Sequence, residues 1–207
     1  LADLLVVVAD FEGASVADVV IDQTARTIKF RPGGQPQRGW PCWWYFRIDG
    51  LAPGETLTLR LHAGDPAAQS TPALAAIVRE AAAFSMPAQA TYSTDGVSWQ
   101  HTEKGVKEEG VMTWKLQAAT PSLYVAWGPP YTPTDAEKFV REMSRRHPAA
   151  TAEELCRSEG DRAVPMLRIR EGDRPTEQRF GIWCHTITTA TGPHSLSGRK
   201  LWPPSGV

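Results

Sequence analysis

One stretch restricts the folds open to this chain more than any other: Gly39-Trp40-Pro41-Cys42-Trp43-Trp44-Tyr45-Phe46-Arg47-Ile48-Asp49-Gly50. In an extended strand, successive side chains point to opposite faces. Alternation then places Cys42, Trp44, Phe46 and Ile48 on one purely apolar face, and Trp43, Tyr45 and Arg47 on the other. The first face belongs in a hydrophobic core. The second, two aromatic rings beside a guanidinium, suits a half-covered surface or a seam between domains. The stretch is therefore expected to be a core strand. Any stacking platform on it narrows to Trp43 and Tyr45, with Arg47 beside them and Trp40 at the entry.

Other short β signals surround it. Leu4-Leu5-Val6-Val7-Val8-Ala9 reads as a buried first strand, too short to span a bilayer. Thr27-Ile28-Lys29-Phe30 alternates and ends at Pro32-Gly33-Gly34. Thr56-Leu57-Thr58-Leu59-Arg60-Leu61 has a clean period of two, with the three leucines on one face. Ala90-Thr91-Tyr92-Ser93 leads into Asp95-Gly96, a hairpin turn, and Val97-Ser98-Trp99 begins the return strand. Val111–Leu116 and Leu123–Trp127 add two more strands. One helix interrupts them, capped by Ser70 or Thr71 with Pro72 in its first turn. The pattern predicts a mainly β fold: an antiparallel, jelly-roll-like β-sandwich with a covering helix, over residues 1–128.

The pattern changes at Gly128-Pro129-Pro130-Tyr131, read as a stiff connector. Tyr131 joins Trp40, Trp43, Tyr45 and Arg47 as the candidate binding or interdomain surface. Thr134–Met143 is expected to be a helix with Thr134 as its cap and Glu137 completing a capping box. Phe139, Val140 and Met143 mark its apolar side. Val164–Arg170 and Arg179–Cys184 read as strands around a polar turn. Residues 129–187 thus look like the start of a second, α/β-type unit. Residues 188–207 lack periodicity and read as an irregular tail.

Composition limits the function. Hydrophobic residues make up 42 % and charged residues 22 %, so the core needs no staples. A net charge of -1 with interspersed signs gives no footprint for nucleic acid or an anionic membrane. Cys42, Cys156 and Cys184 are far apart and form no C-x-x-C. They are expected to be free thiols in a cytoplasmic protein. Asp95 is expected to serve its turn. His62, His101 and His147 are isolated in the sequence and read as surface or satisfied imidazoles.

Several motifs resemble, in order, one group of zinc carboxypeptidases: the branch of peptidase family M14 with the cytosolic carboxypeptidases and their bacterial relatives. Phe11-Glu12-Gly13-Ala14-Ser15 looks like its FE-G-S opening, and Trp44-Tyr45-Phe46-Arg47 resembles its W-F/Y-Y/F-F-R strand. Tyr92–Trp99 resembles its YS-x-DG-x-x-W hairpin, Pro130-Tyr131-Thr132 its PYT segment, and Gly160–Leu167 the opening of its catalytic domain. The resemblance implies an amino-terminal β-sandwich followed by the beginning of a carboxypeptidase domain. It also implies that the strand at Phe180–Cys184 should run into H-x-x-E, whose His and Glu bind zinc. Here His185 is followed by Thr186-Ile187-Thr188, no carboxylate follows Glu177, and His194 is the sole later imidazole. Zinc hydrolysis needs a metal-polarised carbonyl, a general base and a carboxylate-gripping arginine. The expectation is a chain with no catalytic residues and no metal or cofactor of its own, inactive alone, although zinc belongs to the full-length family. Its carboxyl end is expected to be truncated or frame-shifted.

Two roles follow. One is an accessory domain for folding support or substrate recruitment, partnered by a carboxypeptidase catalytic domain or a second copy. The other is a stand-alone module for carbohydrate or peptide. A stacking module needs at least two exposed, coplanar aromatic rings.

Overall fold

The computed structural model describes residues 3–34, 41–65, 67, 69–158, 160–170 and 172. These form two compact units, the first running through Pro130 and the second beginning at Tyr131.

The first unit is a sandwich of two five-stranded sheets. Its strands are β1 (Val6–Val8), β2 (Ala17–Asp22), β3 (Thr27–Arg31), β4 (Tyr45–Asp49), β5 (Thr56–His62), β6 (Thr91–Ser93), β7 (Gln100–His101), β8 (Val106–Glu108), β9 (Val111–Gln117) and β10 (Ser122–Ala126). One sheet has the order β1-β4-β10-β6-β7 and is antiparallel throughout. The other has the order β2-β3-β5-β9-β8. Its β3 and β5 are parallel, Thr27 beside Thr58 and Lys29 beside Arg60. The antiparallel sandwich expected from the sequence is thus observed, with this one parallel pair in its second sheet. Between β3 and β5 the chain crosses to the other sheet to form β4, and so returns in its original direction.

The core lies between the sheets. Leu5, Trp44, Phe46, Ile48, Leu123 and Val125 face Ile28, Phe30, Leu57, Leu59, Leu61, Met112, Trp114 and Leu116. Trp44, Phe46 and Ile48 are fully buried, as their alternation requires. Phe30 meets Phe46 edge-on at 4.9 Å between ring centroids and Trp44 at 5.3 Å, tying the sheets together. β1 departs from its expected burial. It is an edge strand, and although Leu5 is buried, Leu4 and Val6 are 70 % and 49 % exposed. Gly50, just after β4, has φ +83°, and a Cβ there would lie 2.0 Å from the carbonyl oxygen of Leu4. Glycine alone meets both demands.

Helix α1 (Pro72–Ser85) starts as expected: Thr71 Oγ1 accepts a hydrogen bond from the Leu74 amide. Its end is held by tryptophans. The indole N–H of Trp44 donates to the Ser85 carbonyl at 2.9 Å, and that of Trp127 to the Phe84 carbonyl at 2.5 Å. The last carbonyls of a helix have no intrahelical donor, and here two indoles supply one.

In the second unit, helix α2 (Pro133–Arg146) packs on the antiparallel pair β11 (Ala150–Arg157) and β12 (Ala163–Ile169). Its cap is Thr132 rather than Thr134, and Asp135 rather than Glu137 closes the capping box. Pro133 sets this register by occupying the first helical position. Val140 is buried, but Phe139 is 49 % exposed. β11 was not expected, because Ala150–Arg157 lacks an alternating apolar face. The expected strand at Arg179–Cys184 and the tail from 188 lie outside the described residues.

Candidate functional site

Trp43 and Tyr45 lie on the outer side of the first sheet, opposite the core face of Trp44 and Phe46. They are not open to solvent: their exposures are 8 % and 6 %. The chain between β1 and β2 runs across them. Ser15 and Tyr45 exchange both backbone hydrogen bonds, at 2.8 and 2.9 Å, and the Trp43 indole N–H donates to the Gly13 carbonyl at 3.0 Å. Phe11 meets Tyr45 edge-on at 5.0 Å, and Trp99 meets it at 5.7 Å from the β6–β7 loop. Tyr124 and Ala126 close this second, smaller cluster. Buried in this way, Trp43 and Tyr45 offer no open ring face for a ligand to stack on.

Arg47 lies farther along the same face and is half-exposed. It grips Asp49, Nε donating to Oδ1 at 3.0 Å and Nη2 to Oδ2 at 2.9 Å. This pairing holds the Asp49 carboxyl below the usual carboxylate range. Tyr131 is 42 % exposed, and burial together with the nearby Asp135 pushes its phenol up. Trp40 lies outside the described residues. The structure therefore brings Trp43 and Tyr45 together as packed rings, sets Arg47 beside them, and puts Tyr131 at the start of the second unit.

Among the described residues no three His, Cys, Asp or Glu side chains gather where a metal could sit. These residues do not fit a zinc site, and no catalytic step can be drawn through one. His185 and His194 lie outside the described residues. Cys42 and Cys156 are free thiols, and burial pushes that of Cys42 up. Asp95 does turn work: its Oδ1 accepts from the amides of Val97 and Ser98 at 2.8 and 2.7 Å and from Ser93 Oγ at 2.8 Å. These bonds place its carboxyl far below the usual range. The return strand accordingly begins at Gln100, not at Val97.

A groove that sequence reasoning missed lies on the outer face of the second sheet. Arg60, His62, Val111, Glu108 and Glu109 line a volume of about 690 Å³. His62 Nε2 is buried there without a hydrogen-bond partner. Burial, then the nearby Arg60 and Lys29, push its pKa down. Alternation in β5 does put Arg60 and His62 on one polar face. What the sequence hid was β8, a three-residue strand (Val-Lys-Glu) without a periodic signal, which carries Glu108 to the far side of Val111.

The fold is thus an open two-sheet β-sandwich with a covering helix, its aromatic outer face sealed by its own loops. Residues 7–127, more than half of the chain, match the family described as cytosolic carboxypeptidase N-terminal domain, and the chain belongs to that family. A comparison with curated proteins found no match. Among solved structures, a metallo-carboxypeptidase from Burkholderia cenocepacia is similar at 22 % identity and a TM-score of 0.63, over 82 % of this chain and 40 % of that one. A putative carboxypeptidase from Burkholderia mallei gives 21 % and 0.65, over 83 % and 40 %. A metallo-carboxypeptidase from Pseudomonas aeruginosa gives 20 % and 0.59, over 81 % and 40 %. At these identities the likeness is one of fold. The chain spans well under half the length of each.

Proposed function

We propose that this chain is a non-catalytic accessory region of a carboxypeptidase-like protein: residues 1–128 form the accessory sandwich, 129–187 begin a catalytic domain, and 188–207 are a tail. The observation that carries this reading is the family match, which coincides with the sandwich. The burial of Trp43 and Tyr45 supports it too, since it denies a stand-alone carbohydrate or peptide module the stacking platform expected of that pair. The role is folding support or substrate recruitment in the cytoplasm. The partner is a carboxypeptidase catalytic domain or a second copy, met on the sandwich at Arg47, with Trp43 and Tyr45 stiffening that strand. The longer relatives include metallo-carboxypeptidases, and any metal and peptide hydrolysis are assigned to the rest of such a protein. The purified chain is expected to hold no stoichiometric zinc and to release no carboxyl-terminal amino acid from peptides. Zinc measured by mass spectrometry at one per chain, together with turnover, would overturn this reading.

A further inference from the structure

We infer that the groove on the outer face of the second sheet binds a short ω-amino carboxylate, a ligand with a carboxylate at one end and an ammonium group at the other. The groove has two charged banks. Arg60 projects from β5, and Lys29 is its register partner on β3. Glu108 ends β8 and Glu109 follows in the turn to β9. Between the banks lies β9, where Val111 stands opposite both His62 of β5 and Glu108 of β8. Neighbouring strands are about 4.8 Å apart, so the banks are separated by roughly 10 Å of backbone spacing. Among the described residues, none of Lys29, Arg60, Glu108 and Glu109 takes part in an ion pair.

The arrangement sorts ligands by charge. A simple anion is drawn to Arg60 and Lys29 but repelled by Glu108 and Glu109, and a simple cation meets the reverse. A molecule carrying both charges, spaced by about five methylenes, satisfies both banks and lays its apolar stem on Val111. His62 lies on the same strand face as Arg60, and its buried Nε2 has an unmet hydrogen-bonding need, which is costly. The site is on the opposite sheet from Trp43 and Tyr45, and it does not depend on the accessory role proposed above.

The test is a titration of the full ¹⁵N-labelled chain, followed by amide and imidazole shifts. The probe is 6-aminohexanoate, with hexanoate and hexylamine as single-charge controls. The expected result is saturable shifts at residues 60–62 and 108–111, with the controls at least tenfold weaker. Arg60→Gln, and separately Glu108→Gln with Glu109→Gln, should each weaken the probe at least tenfold while the remaining amide spectrum is unchanged. L-Lysine and Nα-acetyl-lysine separate a free amino acid from a peptide-borne terminal lysine, and saturation by either supports the site. Equal binding of probe and controls, or shifts confined to other residues, overturns the inference. If the glutamine variants fold poorly, a full exchange of the two banks, Lys29→Glu and Arg60→Glu with Glu108→Lys and Glu109→Lys, provides the check. It should retain binding of the probe if the two banks act as proposed, and loss of binding by a folded exchange variant overturns the proposal.

Discussion

At the scale of single residues, the turn between β6 and β7 is held by local hydrogen bonds. The Asp95 carboxylate is an acceptor for two amides and one hydroxyl, and it can fill that role only while ionised. Its folded pKa lies below its unfolded one. Its contribution to stability is therefore complete above the ordinary carboxylate pKa, about 3.9, and fades as pH falls through the lowered folded value. Asp95→Ala should lower the melting temperature at pH 7, and the difference from the parent chain should shrink as pH is lowered below about 3.9. Calorimetry across pH 2–7 checks this: an undiminished difference at pH 2 would mean that the turn is held by something other than charge. His62 acts in the same sense. With its folded pKa depressed, the chain loses stability as pH falls below the ordinary imidazole value of about 6.5.

At the scale of elements, α1 shows how a helix is anchored by its end. Its last carbonyls accept from indoles that also belong to the sandwich, Trp44 from the core and Trp127 from the strand end. Trp44→Phe keeps an aromatic ring in the core but removes the donor to the Ser85 carbonyl and leaves a small void. The expected cost is about 3 kcal/mol in urea unfolding, with protease cleavage appearing first within residues 72–85. A cost near zero would mean that the indole bond holds nothing.

The elements that the sequence revealed are those with a strong periodic signal. Leu57, Leu59 and Leu61 declared β5, and Trp44, Phe46 and Ile48 declared the core face of β4. The strands β2, β8 and β11 stayed hidden. Ala17–Asp22 breaks register with β3 at a bulge, Val106–Glu108 is too short for a period, and Ala150–Arg157 has exposed side chains at most positions. The candidate surface was half legible for a similar reason. Alternation correctly placed Trp43 and Tyr45 on the face away from the core. It could not show that Phe11 and Trp99, distant in sequence, would arrive to cover that face, because burial there is decided by loops. The groove depended on β8 and was hidden with it.

At the scale of the whole molecule, the topology makes the sandwich an all-or-nothing construction. β10 pairs with β4 over all five of its residues, Ser122 to Ala126 against Asp49 to Tyr45, and with β6 on its other side. A fragment ending at Pro130 should fold cooperatively, with a sharp urea transition. One ending at Gln117 should show an unfolded circular dichroism spectrum, although it lacks only one strand of the sandwich. A cooperative transition in the shorter fragment would show that the first sheet can close without β10.

The position of β10 at the middle of its sheet also has a meaning in time. During synthesis β4 is finished at Asp49, but the strand that covers its flank is not finished until Ala126. At about 5–20 residues per second the interval is roughly 4–15 s. Through that interval, the most aromatic strand of the chain emerges from the ribosome with an open hydrogen-bonding edge. For this protein the period of greatest aggregation risk is therefore set by the order in which its strands are made.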